Sequence, residues 1–337
     1  MTRNGLGLLI VLLTGLSVWF WRKEKPPNPA NENLHAHTMS TTDQMWKPPD
    51  FNALPQNDSG ELIRYGKKLI HETARYFGPH GSVGQYTNGM NCQNCHLDAG
   101  TRVWGGNFGK VASIYPRFSE RRGSAETINQ RITDCFERSM NGHAPDSNSM
   151  EMKAMNAYIR WLGIDVEKGK KPNGTGLETL PYLERAADPE KGKQVYMQTC
   201  TRCHGENGQG KVDTIFGIGY LYPPLWGEHS YNTAAGLYQL SKFAAFIKAN
   251  MPFGTSYNQE QLSVEQAWDL AAFVNSQPRP VKKFKQDWPN YSLKPVDFPD
   301  GPFPDSFSAR QHKYGPFGPI AKHKKDLAEN SKNKQPL

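Results

Sequence analysis

Cys92-Gln-Asn-Cys95-His96 and Cys200-Thr-Arg-Cys203-His204 repeat one five-residue pattern, the second copy starting 108 residues after the first. C-x-x-C-H is the attachment pattern of a c-type haem. The chemistry needs that spacing: two thiols add across the two vinyl groups of one porphyrin, and the adjacent histidine becomes the proximal iron ligand. A redox dithiol would leave the histidine unexplained in both copies. A zinc site shared by the four cysteines is disfavoured, because finger spacings are far shorter. A chain of 337 residues with 37% hydrophobic and 11% aromatic content has enough material for two modest cores.

Each copy brings the parts of a small helical domain. A helical stretch ending in aromatics, Glu61 to Phe77, precedes the first motif, and Pro189 to Cys200 runs into the second. Closing amphipathic helices follow at Met152–Gly163 and Val264–Gln277, with apolar residues recurring at three and four positions. Aligning Ala157-Tyr-Ile with Ala272-Phe-Val sets an offset of 115 between the halves. The expectation is an all-α protein of two tandem cytochrome c domains, each with one covalently attached haem c. The chain then divides into an export signal or anchor (1–25), a linker (26–55), domain 1 (56–167), a linker (168–184), domain 2 (185–280) and a basic, proline-rich tail (281–337).

Gly5 to Trp21 is an uncharged apolar run of 17 residues between charged flanks, the layout of an export signal. It predicts a periplasmic protein. Without a nearby cleavage site, the segment has two fates open to it, removal or retention as a membrane anchor, and its length is at the short edge for a span. The net charge of +8 raises the question of nucleic acid. Five of those charges lie in the tail, with eleven Lys and Arg against six Asp and Glu, and no nucleic-acid motif accompanies them. The tail reads as solvated and mostly irregular, a surface wrap around the body.

Each haem needs a distal ligand. In domain 2, Ala234 to Ala249 reads as a helix with Thr233 as its N-cap, ended by Asn250-Met251-Pro252. A methionine just past a helix and before proline suits a thioether ligand. Lys242 and Lys248 lie nearby as rival ligands, with a solvated role favoured for both. Subtracting the offset from Met251 leads to position 136, beside Cys135, the one cysteine outside the motifs. Met140 is the rival, with Met150, Met152 and Met155 weaker and read as core. From Ser124 as N-cap to Asn141-Gly142 the segment reads as one helix. Ile128, Ile132, Phe136 and Met140 form its buried stripe, and Arg131, Cys135 and Ser139 the adjacent one, turned by about 100°. That second stripe resembles the lining of a site. Arg131, with Arg121 and Arg122, supplies a field expected to lower the thiol pKa and to bind an oxyanion.

INQRITDCFERSMNG after the first motif and FIKANMPFG after the second resemble the dihaem thiosulfate dehydrogenases and tetrathionate reductases, over about residues 55 to 280. The resemblance implies His96 and Cys135 on a catalytic first haem, with Arg121, Arg131 and Ser139 lining its pocket. It implies His204 and Met251 on a second haem that passes electrons to an external carrier, such as a soluble or membrane-bound cytochrome c. Some members carry a lysine immediately before the methionine, where it ligates the oxidised second haem; this chain has Asn250 there. Two other classes stay open. A dihaem carrier would use methionine at both distal positions, and a Sox-type subunit would transfer sulfur to a carrier protein.

Overall fold

The computed structural model describes residues 44–214 and 219–332, so the apolar N-terminal run lies outside the described residues. Among the described residues no helix is long and apolar enough to cross a membrane. Asn57 opens α1 (Asp58–His71) by accepting from the Gly60 amide at 2.9 Å. The chain continues through α2 (Thr73–Phe77), the short turn α3 (Leu97–Gly100) and α4 (Val111–Ile114). A two-stranded antiparallel hairpin follows, β1 (Arg117–Ser119) on β2 (Ser124–Glu126), then α5 (Ile128–Asp134) and α6 (Met150–Leu162). The second half repeats the plan with α7 (Pro189–Thr199), α8 (Thr201–His204), the pair β3 (Lys211–Val212) and β4 (Tyr220–Tyr222), α9 (Leu240–Asn250) and α10 (Val264–Ser276). Two further helices, α11 (Ala309–Tyr314) and α12 (Gly318–Lys332), lie in the tail.

In each half the first long helix crosses the last, α1 on α6 and α7 on α10. Glycine sets both crossings. A Cβ on Gly66 would stand 2.0 Å from the Ala154 carbonyl oxygen, and one on Gly192 would stand 1.9 Å from that of Asp269. Side chains other than hydrogen would force each pair of helices apart. Two cores result. Leu69, Phe77, Phe136, Met152, Met155 and Tyr158 fill the first; Tyr196, Phe243, Ile247, Trp268, Leu270 and Phe273 fill the second.

The segment read as one helix from Ser124 is three structures. Ser124–Glu126 is strand, Thr127 caps α5 through the Gln130 amide, and Cys135–Ser139 is a turn of π-helix in which the Met140 amide bonds the Cys135 carbonyl at 3.0 Å. Likewise Thr233 does not cap a helix at 234. A 3-10 turn at Gly236–Tyr238 intervenes, and Asp297 accepts from the Ser241 amide at the start of α9. The expected core position of Met150 is exposed, whereas Met140, Met152 and Met155 are buried.

The tail is mostly irregular up to Ser308, as expected, but it is not solvated throughout. Phe317 and Ile320 are built into the second core, and Trp288, Phe298, Asp297 and His312 are buried. Residues 173–176 are also held in place, with Trp46, Trp104 and Gly106 donating their amides to the carbonyls of Asn173, Gly174 and Gly176.

Candidate active site

Thr73, at the break between α1 and α2, donates its hydroxyl to the Leu69 carbonyl at 2.8 Å and accepts from the Cys92 amide at 3.0 Å. The Asn94 side chain accepts from the Asn91 amide at 2.7 Å, closing the 3-10 turn Cys92–Asn94. Neither C-x-x-C pair is a disulfide. His96 Nδ1 lies 2.5 Å from the Gly106 carbonyl, and His204 Nδ1 lies 2.9 Å from that of Pro223. An Nδ1–H spent on a carbonyl leaves Nε2 as the ligating atom. Burial pushes His96 down to about 4, against the pull of the Gly106 carbonyl, and lowers His204 in the same way. Both imidazoles are therefore neutral at pH 7, the form that binds iron. The donor set fits haem c, with Cys92, Cys95 and His96 able to hold one group and Cys200, Cys203 and His204 the other.

The distal candidates occupy matching positions. Cys135 is the residue that follows α5, and Met251 the residue that follows α9. Beyond Cys135 the chain winds on as π-helix, a geometry that recurs at functional sites. At Met251 itself the chain turns extended, with φ −124° and ψ 149°. Cys135 is close enough to Cys92 and Cys95 for its charge to disfavour ionisation of both. Met251 packs with Cys200 against the second core. Four residues before Cys135 stands Arg131; four before Met251 stands the buried Ile247. The two candidates thus share their placement at the end of a helix and differ in the backbone that follows and in the charge nearby.

The arginines are not equivalent. Arg122 turns to carboxylates, 2.7 Å from Asp134 and 3.5 Å from Glu126. Arg138 grips Asp287 with two bonds of 2.6 and 2.9 Å and Asp134 with a third of 3.1 Å. Arg121 donates to the Ala234 carbonyl at 2.6 Å and lies against the rings of Trp288 and Phe298. Arg131 makes no hydrogen bond or ion pair with any described residue, and the neighbouring Cys135 charge pushes its pKa up. Sequence reasoning expected a lowered pKa for Cys135. Burial outweighs the opposing pull of Arg131, and the thiol is raised. Ser139 is half-buried in the π-turn. Lys248, read as solvated, is buried and paired with Glu260. A cleft of about 630 Å³ lined by Ile63, Asn129, Asn156 and Trp161 includes none of these residues.

The domains meet at the site. Leu97, next to His96, packs into the second core, and Asn250 Nδ2, next to Met251, donates to the Trp104 carbonyl at 3.1 Å. Asn232 in domain 2 bonds the carbonyls of Arg138 and Glu137. Two haem-attachment turns, each ending in a neutral imidazole, define a dihaem cytochrome c, with Cys135 and Met251 the candidate distal ligands that follow α5 and α9.

Residues 189–278 match the cytochrome c family, and residues 84–164 match the SoxA/TsdA cytochrome c domain. The chain is 36% identical over 235 residues to the thiosulfate dehydrogenase of Stutzerimonas stutzeri strain A1501, covering 70% of this chain and 73% of the relative. To that of Allochromatium vinosum it is 39% identical over 237 residues, covering 69% and 84%. The solved thiosulfate dehydrogenase (TsdBA) of Marichromatium purpuratum, in its as-isolated form, superposes with a TM-score of 0.65 at 31% identity. That match covers 72% of this chain and 51% of the solved one, so this chain spans about half of its length. The chain belongs to the thiosulfate dehydrogenase family, with two cytochrome c domains and two covalent haem c groups.

Proposed function

We propose that the protein interconverts thiosulfate and tetrathionate, two thiosulfate dianions yielding one tetrathionate and two electrons, in either direction. The observation that carries this reading is the position of Arg131, which has no hydrogen-bond or ion-pair partner among the described residues, within electrostatic reach of Cys135, itself close to the first attachment turn. The haems, when bound, supply two one-electron acceptors and a route to an external redox carrier. Everything else falls to side chains. Arg131 and Arg121 offset the repulsion between two dianions in a partly desolvated pocket. The Cys135 sulfur bonds the outer sulfur of one thiosulfate, giving a cysteine S-thiosulfonate as two electrons leave. A second thiosulfate attacks the same outer sulfur, forming tetrathionate and returning the Cys135 thiolate. The apolar N-terminal run supports a periplasmic location, reached by export with or without retention as an anchor.

The test uses haem-loaded protein with ferricyanide as acceptor. The expected result is one tetrathionate per two ferricyanide consumed, with Cys135→Gly slower by a factor on the order of a thousand or more. Near wild-type turnover in Cys135→Gly would rule the covalent step out. Absence of thiosulfate-dependent bleaching in the wild type would remove the reaction itself.

A further inference from the structure

Among the described residues Arg131 is not the only cation without a partner. Lys242, in the first turn of α9, belongs to domain 2, and its ammonium makes no hydrogen bond or ion pair with any described residue. The charges that bear on it come mainly from across the seam: Arg131, Arg121 and Arg117, all of domain 1, with Asp297 of the tail as the one opposing charge. Asp297 is already occupied, its two oxygens accepting from Gln239 Nε2 at 2.8 Å and the Ser241 amide at 2.7 Å. Carboxylates also fail to reach Arg131. Asp134 is taken by Arg122 and Arg138, and Glu126 by Arg117, Arg122 and Tyr115.

The backbone holds this arrangement in register. Arg121 donates to the Ala234 carbonyl, and the position a Cβ on Gly236 would take is 3.8 Å from Arg131 Nη2. The segment leading into α9 therefore lies against both arginines. Lys242 is exposed to solvent, although protein is packed around it. That surrounding mass, followed by the repulsion of Arg131 and Arg121, pushes its pKa down to about 8. Two cations from different domains, unpaired among the described residues and within electrostatic reach of one another, are unfavourable in the free protein and favourable once an anion sits between them.

We propose that Lys242 is a substrate-binding residue, reaching across the domain seam to share with Arg131 the terminal sulfonate of the sulfur oxyanion. The inference rests on the thiosulfate/tetrathionate reading and extends it: the catalytic pocket belongs to both domains. An ammonium suits a tetrahedral sulfonate as a point charge, while the guanidinium supplies paired donors.

The test compares holoprotein carrying Lys242→Met or Lys242→Arg with the wild type, by ferricyanide-coupled thiosulfate turnover and by calorimetric binding of thiosulfate without an acceptor. Lys242→Met should raise KM and weaken binding about tenfold, or about 1.4 kcal/mol, with kcat within twofold. Lys242→Arg should restore most of the affinity, and unchanged haem spectra in both variants would confirm folding. KM and binding within twofold of wild type in Lys242→Met would overturn the inference while leaving the reaction intact. A wild type that binds thiosulfate through Lys242 without oxidising it would keep the binding role and remove the proposed reaction.

Discussion

Whether Arg131 binds substrate or merely balances charge turns on which carboxylates can reach it, and among the described residues none does. Its neighbours Arg122 and Arg138 show the other outcome, each tied to Asp134. Substituting Arg131 with Met should therefore lower kcat/KM for thiosulfate about 10- to 100-fold, the range for a hydrogen bond to a charged group. Arg131→Lys should recover only part, because an ammonium cannot offer two parallel N–H donors. Steady-state rates with ferricyanide decide it, and equal loss in both variants would show that charge alone is not what Arg131 supplies. Lys242 adds a pH signature. Desolvation by the surrounding protein, then repulsion by Arg131, Arg121 and Arg117 against the favourable pull of Asp297, lowers its pKa to about 8. The cation is present below that pH and lost above it, so the KM for thiosulfate should rise as pH passes about 8. The rise should vanish in Lys242→Arg, whose guanidinium stays charged across the range.

At the scale of elements, the site depends on a stretch of chain far from it in sequence. Asp287 holds the buried Arg138 by two bonds, and the Trp288 amide donates to the Arg121 carbonyl at 2.7 Å. Asp287→Asn removes the charge that Arg138 needs and leaves it only Asp134. The expected cost is about 3 kcal/mol, the low end for breaking a buried pair, read as a lower denaturant midpoint. An unchanged midpoint would mean that Asp134 alone suffices. None of this was legible in the sequence, because an ion pair spanning 149 residues leaves no local pattern. Helices α1, α6 and α7 were legible, since each buries one face and so carries a 3.6-residue period. Helix α10, buried on every side from Ala267 to Asn275, was legible as an apolar run of helical length. The matched placement of Cys135 and Met251 was legible as well, through the internal offset. The π-turn was not: Ile128, Ile132, Phe136 and Met140 keep a four-residue rhythm that a continuous helix would also show, and only the hydrogen bond from Met140 back to Cys135 distinguishes the two. The hairpin before α5 escaped for a related reason, its three-residue strands being too short to show alternation.

For the whole molecule, the tail ties the two domains together unevenly, and this sets how the protein should unfold. Residues 284–288 lie against the arginines of domain 1, with Arg138 over the Phe284 ring at 3.9 Å and on Asp287. From Val296 onward most attachments change sides: Asp297 accepts from Gln239 and Ser241, and Val296 and Phe307 pack on the second core. Phe317, 5.7 Å from both Trp268 and Tyr182, completes that core with Ile320. The first core contains no tail residue. Truncation after Ser308 removes α11 and α12, and with them the two buried apolar side chains of Phe317 and Ile320, at about 1.5–3 kcal/mol each. A loss of about 3–6 kcal/mol is a large share of what a single domain possesses. It should fall on domain 2 alone. Denaturation of the truncated holoprotein, followed by far-ultraviolet circular dichroism, should split into two transitions, with the first-domain midpoint near that of the full chain. A single transition at the full-length midpoint would show that α11 and α12 only cover a core able to stand without them. A single transition at a lower midpoint would mean that the seam at Trp104, Asn250 and Arg121 couples the domains strongly enough for them to unfold as one.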